Sequence, residues 1–178
     1  MSYRYVAGLL AMLSLLGGCV TNPVTPDQVR EYARMDKGSV KLETFEVQRS
    51  YAAVTQSIKQ KSDACLNKTF RITGQKKSGF FGVSEYDDGT TKYIPVSNIG
   101  PNRAEFYTKF WDSKARAVNT PAGDKFVFYV AEVTPKGRNT SSIDLYYFTF
   151  GRYNWSYDLI KAWARGEDPG CPILNGMY

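Results

Sequence analysis

Apolar and polar positions alternate along most of this chain, and the period of the alternation marks its elements. Val40 to Val47 reads as a first strand, with Leu42 and Phe45 out of phase, so a bulge is expected there. From Tyr51 the period lengthens to that of a helix. Tyr51, Val54, Ile58 and Cys65 share one face, Lys59, Gln60, Lys61 and Asp63 cover much of the rest, Ser50 is placed to cap the first turn, and the end falls near Asn67. Strand-like segments follow at Thr69–Thr73, Phe80–Tyr86, Lys92–Ile99, Arg103–Trp111, Phe126–Val133 and Ser142–Phe150. Asp87-Asp88-Gly89 and Pro135-Lys136-Gly137-Arg138 are expected turns, and Pro95 points to an edge or a bulge. Phe106 and Phe110 fall on one side of their strand, with Tyr107, Lys109 and Trp111 on the other. Phe126–Val133 is the most apolar strand and is expected at the centre; Ile143, Leu145 and Tyr147 share a face of its hairpin partner. Tyr153 to Arg165 reads as a second helix with a stripe of Trp155, Leu159 and Trp163, stopped by Gly166 and Pro169.

The order is thus strand, helix, about five to six strands, helix. Short turns between successive strands imply an antiparallel sheet, and two helices must cover one face of it. The expected fold class is α+β.

The first 18 residues follow a different rule. Met1 to Tyr5 carries Arg4, Val6 to Leu16 is apolar, and Gly17, Gly18 and Cys19 follow. A charged start, a short apolar run and small residues at its end read as a signal peptide. Leu16-Gly17-Gly18-Cys19 resembles the bacterial lipobox. That resemblance implies cleavage before Cys19, a diacylglyceryl group on its sulfur and acylation of the new amino terminus. Two or more acyl chains anchor a protein stably without a transmembrane helix. Val20 is not Asp, which by resemblance to the enterobacterial sorting rule implies the outer membrane, with the domain facing the periplasm. Residues 19–38, with Pro23 and Pro26 among Thr21, Asn22 and Thr25, read as a polar tether with little to bury, in which Asp27 to Met35 is able to form a loose helical turn or two. The expected organisation is therefore a signal peptide at 1–18, a lipidated tether at 19–38 and one domain at 39–178.

Composition narrows the chemistry. Of 178 residues, 43% are apolar and 22% charged, an ordinary globular balance, while the 15% of aromatics favours strands. The formal charge of +6 suits acidic partners such as anionic lipid head groups, glycan phosphates or an acidic protein face. Nucleic acid fits the sign but not the address, and is not expected. The basic residues are scattered, with Lys76 and Lys77 the one adjacent pair, which is also what a solvated surface looks like. There is no His, which excludes His-based triads, general bases and metal ligands. If Cys19 is lipidated, Cys65 and Cys171 remain, and an even pair in an oxidising compartment is most simply a disulfide. Two buried free thiols or a reactive thiol are the alternatives.

Cys65 late in a helix, Trp163-Ala164-Arg165-Gly166 and Cys171-Pro172 together resemble a group of small proteobacterial envelope lipoproteins, a resemblance that lends no activity. The order of elements is similar to that of helix-grip domains, including an accessory lipoprotein of the outer-membrane β-barrel assembly machine. Layout alone does not carry function.

Candidate chemistry is sparse. Glu85, Asp87 and Asp88 beside Gly89 lack the late Glu of a calcium loop and read as turn residues. Seventeen acidic residues offer many pairs for acid–base work, and sequence singles out none. Gly79-Phe80-Phe81-Gly82 reads as a strand start, or as an apolar loop that dips into a membrane or partner. The loop from Asn119 to Asp124 identifies no ligand. Tyr146, Tyr147, Tyr153 and Tyr157 either line a lipid or glycan pocket or pack the sheet on its helices. No cofactor or metal site is expected. The reading is a non-enzymatic envelope lipoprotein that binds a protein partner, working by tethering: Cys19 as anchor, Cys65 and Cys171 as staple. The alternative is a carrier or sensor of an amphipathic lipid or glycan held between the aromatic sheet and the helix of Trp155 and Trp163. A hydrolase would need two carboxylates converging in a cleft.

Overall fold

The computed structural model describes residues 22–35, 40–78, 82–113, 123–149 and 155–174. Among the described residues six strands form one antiparallel sheet: β1 (Val40–Val47), β2 (Lys68–Ser78), β3 (Gly82–Ile99), β4 (Ala104–Asp112), β5 (Gly123–Gly137) and β6 (Thr140–Phe148), in the order β1-β6-β5-β4-β3-β2. Three helices accompany them among the described residues: α1 (Pro26–Arg34), α2 (Tyr51–Leu66) and α3 (Trp155–Arg165). The α+β class and the antiparallel sheet are as the sequence implied.

α2 and α3 pack side by side on one face. Ser50 caps α2 by accepting from the Ala53 amide, and Val54, Ile58, Cys65 and Leu66 are buried beneath it. α3 buries Leu159 and Trp163, while Trp155 is half-buried. Its end is fixed twice: the Gly166 and Glu167 amides return to the carbonyls of Trp163 and Ala162, and the Arg49 guanidinium donates to the Trp163 and Ala164 carbonyls. Gly166 closes the turn at φ 85°, a conformation that costs residues with a Cβ.

β5 is central and buried from Phe126 to Ala131. Tyr107 and Lys109 of β4 oppose Val130 and Val127, so β5 carries an extra residue between them. That bulge turns both Phe128 and Tyr129 towards the helices. Phe128 packs on Trp155 at 5.9 Å between ring centroids, and the Tyr129 hydroxyl accepts from Thr108 at 3.2 Å.

Several expectations need correction. β1 pairs with β6 without any register shift, so there is no bulge; Leu42 is half exposed on one face while Phe45 packs on the other, towards Lys161 of α3. From Gly82 onward the two segments read as Phe80–Tyr86 and Lys92–Ile99 run on as one strand, and Asp87-Asp88-Gly89 is no turn. Gly89, at φ 99°, absorbs Asp88 as a bulge against the step from Ile72 to Thr73. Pro95 lies beyond Tyr93, the last β3 residue paired with β2, so its missing N–H falls on an open edge.

The largest correction concerns the supposed tether. Pro26–Arg34 is a capped helix whose Val29 is fully buried and whose Arg30 is only 8% exposed. It packs on β5, β1 and β6 across the face opposite α2 and α3. Thr25 and Gln28 form a reciprocal capping box, with Pro26 in the first turn. The folded unit therefore reaches back at least to Pro23, whose carbonyl accepts from the Val127 amide at 2.9 Å.

Candidate functional site

An open cleft of about 600 Å³ lies where α1 meets the turn between β3 and β4, lined by Asp27, Arg30, Asn98, Ile99, Gly100, Arg103 and Glu105. Arg30 forms its floor. Its Nε donates to Glu132 at 2.5 Å, its Nη1 to Asp27 at 2.6 Å and its Nη2 to Glu105. Burial opposes the Arg30 charge more than any single contact favours it. The hydrogen bonds and charges of Glu105 and Glu132 together outweigh that cost and raise its pKa. Arg103 reaches the second oxygen of Glu132 at 2.9 Å while its side chain stays 60% exposed. Asn98 donates to Glu105 at 3.1 Å, and the Tyr51 hydroxyl pins the turn by donating to the Gly100 carbonyl at 2.7 Å. Each carboxylate of the floor is thus held by an arginine, and the rim presents Arg103 and the half-exposed Ile99.

A second polar group sits on α3. Lys161 donates to Glu43 at 2.7 Å and to the Tyr157 hydroxyl at 2.6 Å, and Tyr157 donates to Glu43. The Tyr147 ring tilts against that of Tyr157 at 4.3 Å between centroids. Hydrogen bonds from Lys161, then Tyr157, hold the Glu43 carboxyl below its ordinary range; the same contacts raise Lys161.

The tyrosines grouped by sequence are separated. Tyr147 and Tyr157 share the α3 side, Tyr146 pairs with Val130 and feels Glu132 and Arg30 on the α1 side, and Tyr153 lies outside the described residues. The described rings of the aromatic face beneath α3 pack on one another. Tyr93 stacks on Phe128 at 5.2 Å and tilts on Phe110 at 5.4 Å, Phe126 meets Phe128 at 5.2 Å and Phe148 at 4.7 Å, and Trp163 is fully buried.

Cys65 and Cys171 form a disulfide with their Cα atoms 5.0 Å apart, joining the last turn of α2 to the segment after α3. The alternatives of free or reactive thiols therefore fall away for this pair. Lys61 and Asp168, 2.5 Å apart, tie the same two segments. Cys19, the leader at 1–18, Phe80 and Phe81, and the loop from Asn119 to Ala122 lie outside the described residues. Glu85, Asp87 and Asp88 stand in β3. Among the described residues no three His, Cys, Asp or Glu gather to hold a metal, and no helix is long and apolar enough to cross a membrane.

Sequence reasoning missed Arg30, Arg103, Glu105 and Glu132. The available signal was local: Val29, Tyr32 and Ala33 recur at helical spacing beside a capping box, and Glu105 and Glu132 interrupt strongly apolar strands. No family model, curated protein or solved structure matches this chain.

Proposed function

We propose that this chain is an envelope lipoprotein, anchored at the outer membrane through Cys19, whose domain binds a protein partner and does not catalyse a reaction. The observation that carries the reading is the cleft at α1. Its floor is fixed by Arg30, its turn by Tyr51, and its rim offers a guanidinium beside an exposed aliphatic side chain. Arginine and apolar groups on a rigid rim are the chemistry of protein interfaces, because little freedom remains to be lost on binding. The Cys65–Cys171 disulfide suits a compartment outside the cytosol and supports the address implied by the lipobox resemblance. The carrier reading finds less support, since the rings between the sheet and α3 pack on one another.

Photocrosslinking in living cells from a benzophenone side chain at Ile99 tests the reading. The expected product is an adduct of protein size at a defined ratio, lost in Arg103→Glu. A lipid- or glycan-sized adduct in its place would favour the carrier. Cys19→Ser should move the protein from membranes to the soluble fraction, and unchanged fractionation would remove the anchor from the proposal.

A further inference from the structure

Resting on the reading of Cys19 as the anchor, we infer that one end of the sheet lies on the bilayer: the end that holds Trp111, Lys92 and the base of the β2–β3 hairpin, with anionic phospholipid head groups as its partner. Four residue steps separate Cys19 from Pro23. Fully extended they span at most about 14 Å. Pro23 is bonded to Val127, and Val127 pairs with Lys109, three residues before β4 ends at Asp112. Those three residues cover about 10 Å, so the acyl chains can enter a bilayer only close to this part of the domain. With the helix at Pro26–Arg34 docked, no long spacer remains to set the domain off the membrane.

β3 and β4 stay paired only as far as Thr91 and Asp112, whereas β2 and β3 continue together through eight further pairs, from Arg71 with Thr90 to Ser78 with Gly82. The resulting ribbon runs about 26 Å past this same end. Among the described residues no third strand pairs with this ribbon. A bilayer within reach of Cys19 meets this ribbon.

The Lys92 ammonium sits 5.0 Å from the Trp111 ring centroid on the sheet face that α2 and α3 leave open, with Lys92 exposed and Trp111 half-buried. Tryptophan favours the head-group zone, and lysines near an anionic surface add about 1 kcal/mol each, roughly fivefold in occupancy. The partner cleft of Arg30 and Arg103 is then at the far end of the strands, clear of the membrane.

The test uses the full chain, reconstituted in vesicles of phosphatidylethanolamine and phosphatidylglycerol, with a benzophenone side chain placed in turn at Lys92, Trp111 and Arg138. Arg138 is exposed in the β5–β6 turn at the opposite end. Lipid-mass adducts at Lys92 and Trp111, none at Arg138, and a severalfold fall when phosphatidylglycerol is omitted are expected. Lys92 is exposed, so its variant reads the surface even if the Trp111 variant misfolds. The intact mass of each sample reports acylation of Cys19. Acylated protein with lipid adducts at Arg138, or at neither end, overturns this orientation and leaves the anchor standing. Unacylated protein without lipid adducts overturns both. A protein-sized adduct at Lys92 in cells would assign this end to a protein and overturn the bilayer as its partner.

Discussion

The Nε of Arg30 lies 2.5 Å from Oε1 of Glu132, joining residues 102 positions apart and fastening a helix read as tether onto the central strand. The side chains are 10% and 12% exposed, and Glu105, on the same guanidinium, is 19% exposed. Removing the arginine leaves two poorly solvated carboxylates side by side. Arg30→Ala should therefore destabilise the domain by about 3 kcal/mol, and adding Glu132→Gln should restore part of the loss. Urea denaturation of the two variants against the parent measures both effects.

The disulfide closes a sequence separation of 106 residues. Loop closure of that length is worth about 4–5 kcal/mol at most, through the freedom it removes from the unfolded chain. Cys65→Ala with Cys171→Ala, or reduction of the parent, should lower the urea midpoint accordingly, and the two treatments should agree. Thiol counting of the unreduced, denatured domain should find neither cysteine free.

Acid should expose the Glu43 pair. Its folded-state pKa is lowered by Lys161 and Tyr157, so its contribution is complete above the ordinary glutamate value of 4.5 and is lost as pH falls through the depressed one. Lys161 is raised by Glu43 and Tyr157, so its contribution holds below its ordinary 10.5 and is lost as pH climbs beyond it. Glu43→Gln and Lys161→Met should each flatten the stability–pH curve on both sides, because each removes the partner that shifts the other. A carboxyl-carbon NMR titration should place the Glu43 midpoint below the usual range, and a normal midpoint would contradict the pairing.

Gly166 holds φ 85°, and a Cβ there would stand 2.9 Å from the Arg49 guanidinium that caps α3. Gly166→Ala should cost about 1–2 kcal/mol from the backbone alone, and more if Arg49 is displaced from the carbonyls it satisfies. Thermal unfolding of Gly166→Ala beside Gly166→Asn separates the two, since Asn tolerates the left-handed region better while still displacing Arg49.

Local pattern determined much of this protein. The helix at Tyr51–Leu66 with its Ser50 cap, the stripe of Leu159 and Trp163 with its glycine stop, the central strand around Phe126–Val133 and the antiparallel sheet follow from period, capping and turn chemistry, which act within a few residues. Only the tertiary structure decided the rest. Asp87-Asp88-Gly89 carries every mark of a turn, yet pairing with β2 runs straight through it, because a glycine at positive φ serves a bulge as well as a turn. Pro26–Arg34 looks too polar to dock, yet Arg30 is buried, because two glutamates 27 residues apart in sequence (Glu105 and Glu132) meet across neighbouring strands and await its charge. A charge-assisted contact between distant segments has no local period, and so the cleft it builds could be seen only once the chain was folded.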